Sequence, residues 1–138
     1  MHMEVGFGTL LTTLAIVNLT LAAAVLVVAW GRGLEDGLVH WSAGLALNGL
    51  GVAAFALRFS DWPAVSIVLT NLLTASLLAA HSIAMAKFQR RPLPAWTIWL
   101  PLLLAGVVSG ALVSHHPARN AILALVFMAQ SVMLVRLA

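Results

Sequence analysis

Residues 38–96 read LVHWSAGLALNGLGVAAFALRFSDWPAVSIVLTNLLTASLLAAHSIAMAKFQRRPLPAW. They parse as an apolar helix from Leu38 to Phe59, a tight turn at Ser60-Asp61-Trp62-Pro63, and a second apolar helix from Ala64 to Phe88. A basic stop, Gln89-Arg90-Arg91-Pro92-Leu93-Pro94, closes the unit. Each apolar run reaches the roughly 20 residues that a helix needs to cross a bilayer. Pro63 suits the first turn of a helix, where its missing N–H would have no intrahelical partner anyway.

Composition extends this reading to the whole chain. Of the 138 residues, 62% are hydrophobic and only 8% are charged, and the mean hydropathy is +1.05. A soluble domain averages about 45–50% apolar and about 25% charged residues, so the solvent for this chain is a lipid bilayer. The runs are continuous in Leu, Ala and Val, without the period-two alternation of a membrane barrel. The expected fold is therefore an all-α polytopic membrane helix bundle in one domain. Five transmembrane helices are expected, over roughly 7–30, 38–59, 64–88, 95–113 and 118–138.

Polar residues punctuate these spans. Thr12, Thr13, Asn18 and Thr20 interrupt the first, and Gly31 to Gly37 forms a charged, glycine-rich turn after it. The N-terminal Met1-His2-Met3-Glu4 has no Lys or Arg, and its apolar run exceeds the roughly 7–15 residues of a signal peptide core, so it is retained as a span. Asn120, Gln130 and Ser131 lie in the fifth span.

Orientation follows from the basic residues. With the N-terminus outside, Arg32, Lys87, Arg90, Arg91 and Arg136 lie on the cytoplasmic side, against Arg58 and Arg119 outside. N-out and C-in is expected, with Lys87, Arg90 and Arg91 as the topology anchor. These cations separate apolar runs and form no nucleic-acid patch, so no nucleic-acid partner is expected. Without cysteine, thiol chemistry and Cys-ligated zinc are excluded.

His81 is the ionisable residue placed well inside a span, and such residues are candidate functional groups. Asn71, Thr74, Leu78, His81 and Met85 recur at helical spacing, beside the small residues Ser76, Ala80 and Ala84. His40 is expected at a similar depth, an arrangement compatible with bis-histidine haem. A neutral packing histidine and a sensing or ligand-binding group are the other readings of His81. His40, Asn48 and Asn71 join it as candidate sensing or ligand residues. Gly44, Ala80, Ala84, Gly106 and Gly110 are candidate helix-packing positions, since small residues let backbones approach in lipid. Gly106 and Gly110 suit either a dimer face or an internal contact. His115-His116 resembles a metal pair but has no further ligands nearby, so no metal is expected. All four carboxylates fall at membrane edges, and no catalytic constellation is visible.

Further residues carry a resemblance. His40-Trp41-Ser42-Ala43-Gly44, Ala56-Leu57-Arg58-Phe59, Asp61-Trp62-Pro63, Ser66-Ile67, Asn71, Lys87-Phe88, Arg90-Arg91-Pro92 and Trp96 occur in this order. Over Leu38 to Trp96 the chain resembles the multi-helix N-terminal membrane domain of bacterial GGDEF-type diguanylate cyclases. The resemblance implies a sensory or regulatory input module in the bacterial inner membrane. Such a module biases dimerisation of a cytoplasmic domain that makes cyclic di-GMP, and a homodimer is expected, either through the membrane domain or through a missing output domain. The GGDEF motif is not present, so a truncated or free-standing relative is expected, and any cyclase activity would reside elsewhere. The alternatives are a small accessory subunit of a larger membrane complex, with or without haem, and a small transporter or channel.

Overall fold

The computed structural model describes residues 2–32, 37–59 and 61–137, with side chains from Gly6 onward. Gly33, Leu34, Glu35 and Asp36 of the first expected turn lie outside the described residues, as does Ser60 of the second. Five α-helices follow one another: α1 (His2–Trp30), α2 (Leu38–Ala56), α3 (Pro63–Phe88), α4 (Trp96–Ala111) and α5 (His116–Leu137). A short 3-10 turn, Leu57–Phe59, extends α2. The bounds differ from the sequence reading mainly at two starts. α1 begins at His2, because no proline interrupts residues 2–6 and the single Gly6 is tolerated within the helix. α5 begins at His116, because Pro117 is accommodated in its first turn.

Four helical segments are long and apolar enough to cross a membrane: Gly6–Trp30, Leu38–Phe59, Pro63–Phe88 and His116–Leu137. α4 has 16 residues and, at about 1.5 Å per residue, reaches about 24 Å. That is short of the roughly 30 Å hydrocarbon thickness. Ser109 near its end nevertheless bonds Asn71 near the start of α3, so α4 runs back along the bundle, and a short span is accommodated by local thinning of the bilayer. The chain is a multi-pass, all-helical membrane protein.

α3 is the hub. It packs against α2, α4 and α5, while α4 and α5 pack on each other and α1 packs on α2 alone. Most of the buried apolar residues are small: Ala75, Ala79, Ala80, Ala84 and Ala86 of α3, with Ala105 of α4, while Leu123 of α5 is the large one among them. Large side chains point outward, Val27 at 75% exposed and Leu10 at 62%. A water-soluble bundle would reverse this. In lipid, hydrophobicity does not draw helices together, so close backbone approach through small residues and interhelical hydrogen bonds hold the bundle.

Those hydrogen bonds are present at four interfaces. From α2 to α1, the Ser42 hydroxyl donates to the Ala22 carbonyl at 2.7 Å, and Asn48 Nδ2 donates to Asn18 Oδ1 at 2.8 Å. Ser66 of α3 donates to the Ala54 carbonyl of α2 at 2.7 Å. Asn71 Nδ2 of α3 donates to Ser109 Oγ of α4 at 3.0 Å, and Gln130 Nε2 of α5 donates to the Ala75 carbonyl at 3.3 Å. Each such bond contributes on the order of 0.6 kcal/mol in a membrane bundle. Their larger role is to fix the rotation of each helix, because a polar atom turned into lipid would lose its partner.

Candidate functional site

The α2–α3 seam is built by glycine. Gly37 precedes α2 with φ of +76°, a left-handed conformation that other residues rarely adopt. A Cβ there would lie 2.6 Å from the Ala84 carbonyl and 3.1 Å from Phe88 Cε1. Two turns further along, Gly44 faces His81, and a Cβ on Gly44 would lie 2.6 Å from His81 Nε2. α2 therefore lies almost on the backbone of α3 at the end of the bundle where α3 stops.

His81 fills the small space left at this contact. It is half-buried, and its ring lies 4.5 Å from that of Trp41, tilted by 42°. His81 Nε2 is buried and has no hydrogen-bond partner. His40, next to Trp41 in sequence, is also half-buried, and its Nδ1 has no partner among the described residues. A histidine, a tryptophan and a glycine thus form one contact between two helices, with the chain neighbour of the tryptophan carrying a second unpartnered imidazole nitrogen.

The haem expectation does not fit this geometry. An axial bond from His81 Nε2 needs open space in the ring plane, and that edge is covered by the α2 backbone at Gly44. Trp41 covers part of the ring face. Among the described residues, no group of three or more His, Asp or Glu side chains is placed to hold a metal ion. His116 is engaged elsewhere, its Nδ1 lying 2.9 Å from Arg119 Nη2.

The polar stripe of α3 is divided between neighbours. Asn71 turns to α4, bonding Ser109. Thr74 bonds back to the Thr70 carbonyl at 2.9 Å, and His81 turns to α2. Asn48 pairs with Asn18 on α1 and does not meet His81. Ala80 and Ala84 are buried. Gly106 and Gly110 do not act as a pair: a Cβ on Gly106 would lie 3.3 Å from Leu72 Cδ2 of α3, whereas Gly110 has open space before it. The first is an internal contact and the second faces outward.

The basic exit is a built helix stop. Arg91 N–H donates to the Ala86 carbonyl at 2.9 Å, and Arg90 N–H donates to the Lys87 carbonyl at 3.1 Å. This is the Schellman pattern, with Arg90 at φ of +52° in the left-handed position where glycine is usual. Pro92 follows. Lys87, Arg90 and Arg91 are all exposed.

No family model, curated protein or solved structure matches this chain. The functional reading therefore rests on the site itself.

Sequence reasoning missed three features of the fold. Trp41 was read as part of a motif, whereas it is the ring against His81. Ser42, Ser66 and Ser109 are all buried and bridge helices, but serine in an apolar run gives no signal of direction. Arg119 was counted as a loop charge, whereas it is buried at 2% exposed. With the fifth span expected from residue 118, Arg119 stands at a membrane edge, where its position gives no sign of burial.

Proposed function

We propose that this chain is a non-catalytic input module of the bacterial inner membrane, lying N-out and C-in, which as a homodimer regulates a cytoplasmic diguanylate cyclase. The observation that carries this reading is the Trp41–His81–Gly44 contact on the hub helix. It lies two turns before the basic exit of α3, so a change in how His81 seats against α2 alters helix spacing where the chain leaves the membrane. Because the Gly44 backbone covers the unpartnered Nε2, that nitrogen gains a hydrogen-bonding partner only when α2 moves off α3, which couples its engagement to helix spacing.

Fused at its C-terminal end to a diguanylate cyclase domain, the wild-type and His81→Asn modules are expected to differ in cyclic di-GMP output. A coupling of ordinary size corresponds to about fivefold or more. Equal output from equally abundant proteins removes His81 from the mechanism and leaves the packing reading. The orientation has its own check. With no native cysteine, Met3→Cys is a single reporter. It is expected to react with an impermeant maleimide on intact cells, while a C-terminal fluorescent fusion lies in the cytoplasm. Labelling only in broken cells overturns the N-out arrangement.

A second reading, an accessory subunit of a larger membrane complex, is supported by α1. That helix packs on α2 alone and leaves most of its apolar surface free for another protein. A transporter is less well supported, because Asn18, Asn48 and Asn71 are engaged in pairs between helices and do not line one path.

A further inference from the structure

Arg58 and Arg119 are the two basic residues that the charge count leaves on the outer side. They are far apart in sequence, yet both wall one cavity of about 120 Å³, together with Phe55, Thr70, Asn71 and Asn120. This volume is well above the roughly 10–15 Å³ that admits one water. The cavity lies at the end of the bundle opposite the basic exit, where α2 ends and where α3 and α5 begin.

Arg119 is 2% exposed. Its Nη1 donates to the Val113 carbonyl, just past the end of α4, at 2.8 Å. Its Nη2 lies 2.9 Å from His116 Nδ1 and 3.5 Å from Asn120 Oδ1. A guanidinium can only donate, so His116 Nδ1 is the acceptor of this hydrogen bond. Arg119 Nε is buried without a partner, and so is Thr70 Oγ1. Arg58 is exposed, with its guanidinium 5.6 Å from the centre of the Phe55 ring. None of these partners is a carboxylate. The carboxylate nearest in sequence to Arg58, Asp61, lies on the exposed turn. The positive end of the α5 dipole adds to the same sign of charge.

A buried cation with no counter-charge among the described residues is costly in a low-dielectric site, and two arginines with the unpartnered Arg119 Nε and Thr70 Oγ1 favour an acceptor-rich anion. We propose that it binds a phosphate oxyanion, either on a lipid headgroup or as free phosphate. Phosphate presents several acceptor oxygens and suits the fork of donors on arginine. The cavity also opens beside the α2–α3 turn. Trp62 is exposed there, as expected for a ring at headgroup depth.

The full chain, purified in a phosphate-free glycosidic detergent, provides the test. Inorganic phosphate replaces chloride at constant ionic strength while thermal unfolding is followed. In parallel, native mass spectrometry compares retention of phosphatidylglycerol with retention of a phosphate-free glycolipid. A saturable rise in Tm with inorganic phosphate assigns the site to the free anion. Preferential retention of phosphatidylglycerol without that rise assigns it to the headgroup. Arg58→Gln and Thr70→Val leave the buried Arg119 contacts intact, and each is expected to weaken the response about tenfold, the scale of one charge-assisted hydrogen bond. The proposal is overturned if a folded wild type shows neither response, or if both variants respond as the wild type does.

Discussion

Gly37→Val is expected to destabilise the bundle by about 2–5 kcal/mol. Two effects add. The left-handed backbone at Gly37 costs a residue with a Cβ about 1–2 kcal/mol, and valine more than most because its branched side chain crowds the backbone. The new Cβ would also meet the Ala84 carbonyl at 2.6 Å. That oxygen belongs to a helical backbone and cannot swing away as a side chain would. Overpacking of this kind costs about 1–3 kcal/mol. The measurement is thermal unfolding in detergent, compared with Gly110→Val, whose added atoms meet open space. Equal Tm values for the two variants would show that the α2–α3 seam does not need the close approach.

Ala84→Leu is expected to cost about 1–3 kcal/mol by overpacking, whereas Leu69→Ala is expected to cost less than about 1 kcal/mol. Ala84 is 0% exposed and lies within the α2–α3 contact, while Leu69 is 39% exposed. The contrast reverses the usual rule for soluble proteins, where truncating leucine to alanine is the damaging change. In this bundle the leucines are largely outside, so truncation exchanges lipid contacts for lipid contacts. Enlarging a buried alanine forces two helices apart. Detergent stability that ranks Leu69→Ala below Ala84→Leu would place the core elsewhere than on the small-residue faces of α3.

The helices themselves were legible because hydropathy and length are local. A run such as Ala64 to Phe88 must be a helix in lipid, since otherwise its backbone groups would go unbonded. Pro63 and the prolines after Arg91 mark its ends. α4 shows where the local signal weakens: its expected end at Val113 recedes to Ala111, and the helix is shorter than the hydrocarbon core. Part of the site was legible for the same reason. A histidine in an apolar run stands out, and His81 lies at a helix–helix contact. Its partners did not stand out. Trp41 and Gly44 are forty and thirty-seven residues earlier, and only the pairing of α2 with α3 brings them to it.

By itself, the amino-acid sequence determined that this is an all-helical membrane protein, and very nearly where each helix starts and stops. The tertiary structure alone decided which way each helix faces. In water, an apolar stripe announces the buried side. In lipid, leucine is equally at home outside, so rotation is set by small residues and single hydrogen bonds. The apparent polar stripe of α3 accordingly divides, with Asn71 turning to α4 and His81 to α2. Arg58 and Arg119 look like stray charges in the chain, and they converge on one cavity only because α2, α3 and α5 end together.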